Sequence, residues 1–109
     1  MGLFEKDSII RLLEQLTQRL EGVRAHLAKG EPAEALESIG EARKALAGPM
    51  VRTLDRVDGN TLVSLLGRER ARLYAELARL EARARRELGE DAPARREDAR
   101  AGEIERALA

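Results

Sequence analysis

The spacing of apolar residues in the first quarter of the chain constrains the fold most strongly. Ile, Leu and Val recur there at intervals of four and three, which places them along one side of an α-helix. A glycine follows, and glycine is a common end of a helix. The pattern therefore predicts a first helix over about residues 5–29. Its apolar side is formed by Ile9, Leu13, Leu16, Leu20, Val23 and Leu27.

A second helix is predicted over about residues 32–47. Pro32 suits the first turn of a helix, and the sequence Gly48-Pro49 ends the pattern. Because only a few residues connect the first two helices, we expect them to form an antiparallel hairpin. The apolar stripe of the second helix consists of Ala35, Ile39, Ala42 and Leu46.

The second half of the chain predicts another pair of helices. Residues 48–67 are expected to form an irregular or short-helical linker, with Asn60 or Thr61 as a helix cap. A third helix is predicted over about residues 68–88, followed by a weak fourth helix over about 93–108. The fourth helix is weak because its apolar residues are few, and they are Ala94, Ala101, Ile104 and Leu108.

These elements predict an all-α fold of two antiparallel hairpins packed as a small helical bundle. Strand signals are absent, since only 11 of 109 residues are Val, Ile or Thr and apolar residues do not alternate. The length fits one domain spanning residues 1–109. Most of the apolar residues are Leu and Ala, and Ala buries little area, so we expect a thin core.

The hairpin resembles the middle of a tetratricopeptide (TPR) repeat. In that family a small residue ends the first helix, and an alanine, a large apolar residue and a second alanine follow at fixed offsets. Gly30, Ala35, Ile39 and Ala42 match those offsets. The opening segment from Phe4 to Arg11 also resembles small uncharacterised bacterial proteins that begin with a Phe-x-x-Asp helix and continue into a TPR-like hairpin. The resemblance implies a helical bacterial protein and supplies no catalytic residue.

Composition excludes several classes of function. The chain has no cysteine and one histidine, so cysteine chemistry and a histidine-pair zinc site are not expected. It contains neither a phosphate-binding glycine motif nor a nucleophile motif, and we therefore predict no enzyme, metal or cofactor. A net charge of zero argues against a nucleic-acid binder. The first residues lack the apolar run of a secretion signal, and the expected location is the cytoplasm.

The third predicted helix segregates its side chains into three faces. A leucine face contains Leu73, Leu77 and Leu80, and an alanine face lies on another side. Five arginines share a third sector, which we name the arginine wedge. Guanidinium groups bind carboxylates and phosphates. The wedge therefore predicts either a solvated face of an arginine-rich chain, or contact with an acidic surface of this or another chain, or alternatively contact with nucleic acid or another anionic ligand. The wedge consists of Arg68, Arg72, Arg79, Arg83 and Arg86.

Acidic residues gather on the second helix, away from its apolar stripe. Opposite charges on different faces of one chain favour pairing between copies, with leucine and alanine faces supplying affinity. Because the weak fourth helix offers little cover for the third, we predict a homodimer through the first and third helices. The expected function is a non-enzymatic protein–protein interaction or scaffold protein. The acidic set is Glu34, Glu37 and Glu41.

Overall fold

The computed structural model describes the backbone of residues 2–109 and the side chains from Ser8 onward, so the predicted motif at Phe4 and Asp7 lies outside the described side chains. Across this range the chain forms α-helices and one short 3₁₀ turn, with no strand, which confirms the predicted all-α class. The helices are α1 (Gly2–Ala28), α2 (Pro32–Ala47), α3 (Val51–Leu54), α4 (Gly59–Leu66), α5 (Arg68–Glu87) and α6 (Asp91–Leu108).

The first two helices form the predicted hairpin. Three residues join α1 to α2, and Gly30 adopts a left-handed backbone conformation with a φ of 72°. Such a conformation is strained for residues with a Cβ atom, so glycine suits the end of α1. The apolar sides of the two helices pack against each other, and α2 also packs on α5. Their buried residues include Leu16, Leu20, Val23, Leu27, Ala35, Ile39, Ala42 and Leu46.

Short helices replace most of the predicted irregular linker. A 3₁₀ turn over Gly48–Met50 leads directly into α3, and α4 follows after four residues. The cap of α4 is Asp58, not the predicted Asn60 or Thr61, because its Oδ1 accepts a hydrogen bond of 2.7 Å from the Thr61 amide. The same bond lowers the pKa of the Asp58 carboxyl. Helix α4 then packs against both α5 and α6.

The predicted weakness of the last helix is wrong. Helix α6 is 18 residues long and forms the most extensive helix pair of the fold with α5. Its buried residues are mainly alanines, and the four alanines of the α5 alanine face are buried too. Small side chains let two helix backbones approach closely, so the pair packs well with few large residues. The alanines concerned are Ala71, Ala75, Ala78 and Ala82 on α5 and Ala94 and Ala101 on α6.

None of the helices within residues 2–109 combines the length and apolar character needed to cross a membrane. Many charged residues interrupt the apolar stripes, and each helix has a polar side as well as a buried one. The helices therefore pack by one or two faces, as expected for amphipathic helices in a bundle.

The contact between α4 and α6 gives a stability prediction at Gly59. A Cβ atom at this position would lie 2.7 Å from the backbone oxygen of Glu103, and the backbone of α6 cannot easily move away. We expect Gly59→Ala to destabilise the protein by about 1–3 kcal/mol. Urea unfolding followed by circular dichroism measures the change.

Gly40 provides the matched control, because it lies within α2 and a Cβ atom there would meet no atom within 4 Å. We expect Gly40→Ala to stabilise the protein by about 0.5–1 kcal/mol, since alanine favours a helix over glycine. Equal effects of the two substitutions would contradict the close approach of α4 to α6.

Candidate interaction surfaces and a buried ionic cluster

Helix α6 supplies carboxylates to two residues of the arginine wedge, Arg79 and Arg86. Arg79 donates a hydrogen bond of 2.6 Å to Glu105 and one of 3.1 Å to Asp98, and Arg86 donates another to Asp98. The sequence left open whether an acidic surface in the same chain or elsewhere meets these arginines. The structure brings the wedge against an acidic surface of the same chain.

The remaining wedge residues also have partners nearby. Arg68 donates to the backbone oxygen of Leu108, at the end of α6. Arg72 lies 3.3 Å from Glu69 on the same helix, and Arg83 lies 3.8 Å from Glu87. These last two pairs are exposed, and exposed ion pairs on one helix are weak. The wedge is therefore neutralised in part within the chain, at Arg79 and Arg86, while Arg72 and Arg83 stay exposed with only weak partners on their own helix.

The hydrogen bonds to the wedge change the titration of the α6 carboxyl groups. The bonds from Arg86 and Arg79 lower the pKa of Asp98, and the bonds from Arg79 lower the pKa of Glu105. The same carboxylates raise the pKa of Arg79. A carboxyl whose pKa is lower in the folded protein stabilises the fold above its ordinary pKa, and that stabilisation disappears as the pH falls.

We predict that Asp98→Asn makes stability less sensitive to acid. The variant should be less stable than wild type near neutral pH, and the difference should shrink as the pH falls from about 5 to 3. Urea unfolding of both proteins at several pH values from about 3 to 7 measures the difference in the free energy of unfolding. Asp91→Asn, at an exposed position in the first turn of α6, is the control. A difference between Asp98→Asn and wild type that stays constant with pH would contradict the role of this ion pair.

The leucine face of α5 belongs mostly to the core. Leu77 is fully buried, and Leu73 and Leu80 are half-buried against the core cluster. The prediction that Leu77 is available to a partner is therefore wrong, because α1 and α2 already pack on α5. The predicted homodimer through the first and third helices loses its premise, since α5 is covered on more than one side within the chain.

The acidic residues of α2 remain at the surface. Glu34, Glu37 and Glu41 are exposed, and Glu41 lies 3.8 Å from Arg19 of α1. His26 is half-buried with its Nδ1 atom 2.9 Å from Oε1 of Glu31. This contact joins the end of α1 to the start of α2 and fits a structural role for the histidine.

A buried ionic cluster lies where α2, α5 and α6 meet. Arg43 of α2 donates hydrogen bonds to Glu81 of α5 and, at 2.9 Å, to Glu97 of α6. Its guanidinium carbon lies 5.4 Å from the centre of the Tyr74 ring, within the range of a cation–π contact. Burial alone would lower the pKa of Arg43, but Glu81 and Glu97 outweigh it, and the pKa is raised. One side chain thus joins three helices.

Glu81 is the centre of this cluster. The residue is only 7% exposed, and its second carboxylate oxygen accepts a hydrogen bond of 2.7 Å from Arg85. Arg85 in turn donates to Glu90 at 2.5 Å. Each oxygen of Glu81 therefore accepts a hydrogen bond from an arginine of the same chain. The arrangement fits a structural clamp.

The sequence analysis did not identify this cluster, although a signal exists. On a helical projection Glu81 falls between the leucine face and the alanine face of α5, opposite the arginine wedge. When both neighbouring faces are buried, the sector between them is buried too. A charged residue in that sector needs an opposite charge from another helix. Arg43, beside the apolar stripe of α2, supplies it.

The N-terminal half of α1 carries two adjacent exposed apolar residues, Ile9 and Ile10, while Leu65 of α4 and Leu88 after α5 are exposed singly. Ile9 lies on the same side of α1 as Leu16, seven residues later, yet Ile9 is 54% exposed and Leu16 is 1% exposed. Ile10 is 47% exposed, and Leu13 is half-buried. The apolar side of α1 thus continues beyond the part of the bundle that covers it. We name the part of this segment whose side chains the structure describes, residues 8–14, the α1 overhang.

Two surface grooves border the overhang. One, of about 220 Å³, runs between Ile9 and Leu13 of α1 and residues 66–70, where α4 gives way to α5. The other, of about 420 Å³, lies along α1 from Ile10 to Gln18. The rims carry Glu14 of α1 and Glu69, together with arginines of α5. This is an apolar surface with rims of both charges.

Comparison with known proteins gives no match to a protein family, a curated protein or a solved structure. The resemblance to a TPR hairpin and to small bacterial proteins therefore stays a prediction. Within the described residues, no group of three or more Asp, Glu or His side chains is placed to hold a metal ion. The class of protein that the structure defines is a small all-α helical bundle.

Proposed function

We propose that this chain is a non-enzymatic helical protein–protein interaction or scaffold protein. The observation that carries the proposal is the α1 overhang, where Ile9 and Ile10 are exposed beside the half-buried Leu13. Contiguous apolar surface on a small protein is typical of a binding site. The overhang is also amphipathic, and amphipathic helices commonly bind other helices or apolar grooves.

The internal chemistry of the bundle supports an interaction role over catalysis. Arg43, Glu81 and Glu97, three ionisable groups enclosed in it, are held together by hydrogen bonds from Arg43 to both carboxylates. The arginine wedge gives weaker support to nucleic-acid or anion binding, because Asp98 and Glu105 of the same chain already bind Arg79 and Arg86. We therefore place the binding surface on α1.

Site-specific photo-cross-linking tests the proposal. A photoreactive amino acid replaces Ile10 in the overhang or, as the control, Ala45 on the exposed side of α2. The variants are expressed in the native host cell, irradiated, and their adducts identified by mass spectrometry. We expect defined adducts from position 10 that position 45 does not give. The same adducts from both positions, or none from position 10, would contradict an interaction role for α1.

A further inference from the structure

We infer that the buried ionic cluster is a proton-linked clamp, in which Glu97 binds a proton as the pH falls and the junction of α2, α5 and α6 is thereby stabilised. The clamp is separate from the proposed interaction surface, because none of its side chains lies on α1. It consists of Arg43 on α2, Glu81 and Arg85 on α5, Glu90 between α5 and α6, and Glu97 on α6.

The cluster holds more carboxylates than guanidinium groups. Arg43 donates hydrogen bonds to Glu81 and Glu97. Arg85 donates hydrogen bonds to Glu81 and Glu90. Two arginines are therefore shared among three glutamates, and the cluster carries one net negative charge when every group is ionised. Enclosing a net charge costs free energy, so the uptake of one proton lowers the cost of enclosing the cluster.

Glu97 is the carboxylate of this cluster that we expect to take up the proton. Glu81 accepts hydrogen bonds from both arginines, and protonation would weaken two charge-assisted bonds there. The side chain of Glu90 is 41% exposed, so water hydrates its carboxylate. The side chain of Glu97 is 25% exposed, and its arginine, Arg43, is shared with Glu81. Glu97 thus combines burial with incomplete compensation of its charge.

The charged groups that face Glu97 come from the two helices packed beside it. Burial raises the pKa of Glu97, and the negative charge of Glu81 raises it further. The positive charges of Arg43 on α2 and Arg85 on α5 act in the opposite direction but are outweighed, so this pKa lies above its ordinary value. Tyr74 also contacts Arg43, but burial raises the pKa of its phenol to about 12, and the phenol stays neutral throughout the acid range.

The other charged residues near Glu97 on α6 and α4 are engaged elsewhere or exposed to solvent. Asp98 is bound by two residues of the arginine wedge, and Arg96 is exposed. Arg100 donates to a carboxylate one turn further along α6 and to the backbone of α3. Asp58 caps the start of α4. Proton uptake by Glu97 therefore depends chiefly on the cluster itself.

The raised pKa of Glu97 determines the direction of the effect on stability. A proton binds more tightly to Glu97 in the folded protein than in the unfolded chain, so acid favours the folded form at this residue. Above its folded pKa the ionised Glu97 costs stability, and this cost disappears as the pH falls below the ordinary pKa of glutamate. Asp98, the next residue, has the opposite response, because the arginine wedge lowers its pKa. Two adjacent carboxyl groups of α6 thus respond to acid with opposite signs.

Glu97→Gln tests the clamp, because glutamine keeps the shape of a protonated glutamate and carries no charge. Urea unfolding of the full chain is followed by circular dichroism at several pH values from about 4 to 7. We expect the midpoint urea concentration of the variant to lie above that of wild type near neutral pH and to approach it as the pH falls. Asp98→Asn is the matched control, since its midpoint should lie below that of wild type near neutral pH and approach it in acid.

A titration of wild type measures the same property without a substitution. NMR follows the carboxyl carbon of Glu97 in the folded protein, and we expect the midpoint of its titration at a higher pH than that of a glutamate in an unstructured peptide. A midpoint at or below the peptide value would overturn the clamp. A stability difference for Glu97→Gln that stays constant with pH, or that has the sign expected for Asp98→Asn, would also overturn it. Neither result depends on what binds α1.

Discussion

Replacing Glu81 by alanine should destabilise the protein by about 3–5 kcal/mol, which is the usual cost of removing one partner from a buried ion pair. The substitution leaves Arg43 and Arg85 with one carboxylate each, Glu97 and Glu90, and the Arg43 side chain is only 18% exposed to solvent. The Nε atom of Arg43 is already buried without a hydrogen-bond partner. Because small domains are stable by only about 5–15 kcal/mol, this loss is large.

Glu76 on the same helix is the matched control. It accepts a hydrogen bond of 3.0 Å from Arg24 of α1, so it also joins α5 to another helix, but both side chains are more than 40% exposed. We expect Glu76→Ala to cost about 0–1 kcal/mol. Urea unfolding of the two variants at neutral pH gives the comparison. Equal losses would mean that burial of the cluster contributes nothing.

A double substitution separates the charge pair from its packing. Replacing Arg43 and Glu81 together by methionine removes both charges and keeps most of the volume. Buried ion pairs are often replaced by apolar residues at little cost, so the double variant should be more stable than Arg43→Met or Glu81→Met alone. If the two side chains pair directly, the loss of stability in the double variant should be about 1–3 kcal/mol smaller than the sum of the two single losses. Additive losses would contradict a direct pairing.

The helices and the first hairpin could be predicted because their signals are local. The spacing from Leu13 to Leu27 and the stop at Gly30 act within one or two turns of helix, and α2 has the predicted bounds. The capping residue of α4 was missed, although it too is local. Asp and Asn are equally favoured as N-cap residues. Asp58 is the cap because it lies three residues before Thr61, whose amide its side chain reaches.

The interaction surfaces depend on how helices pack, and that is not a local property. The arginine wedge was identified correctly as a sector of α5, but its partners Asp98 and Glu105 lie on a helix that the sequence indicates only weakly. Conversely, Ile9 looks like a core residue from its spacing. Its exposure follows from where the bundle ends along α1, which the sequence does not specify.

The sequence analysis underestimated how firmly α6 packs in the bundle, because it judged the helix by its small number of large apolar residues. Ala94 and Ala101 bury little area themselves, but they bring α6 close enough to α5 for many weak contacts. The charged residues of α6 also take part, since Glu97 binds Arg43 and Arg100 donates to the backbone oxygen of Leu54. A helix with few leucines can therefore be an integral part of the bundle.

Ile104→Ala tests this conclusion, and we expect it to cost about 2–5 kcal/mol because a cavity forms in a close-packed site. Ile104 is fully buried in the core cluster and lies next to Glu103, whose backbone oxygen lies against Gly59 of α4. A helix that only frays at the surface would lose almost nothing by the same change. Thermal and urea unfolding measure the loss.

Leu108 at the end of α6 is the control for this substitution, since it is apolar but only half-buried. We expect Leu108→Ala to cost about 1 kcal/mol or less, because the area that it removes from the core is smaller. Amide hydrogen exchange adds an independent measure. If α6 unfolds only with the whole bundle, its central amides exchange through global unfolding. Ile104→Ala should then speed up amide exchange in α5 and α6 by the same factor. Faster amide exchange confined to α6 would instead mean that α6 unfolds on its own while α5 stays folded.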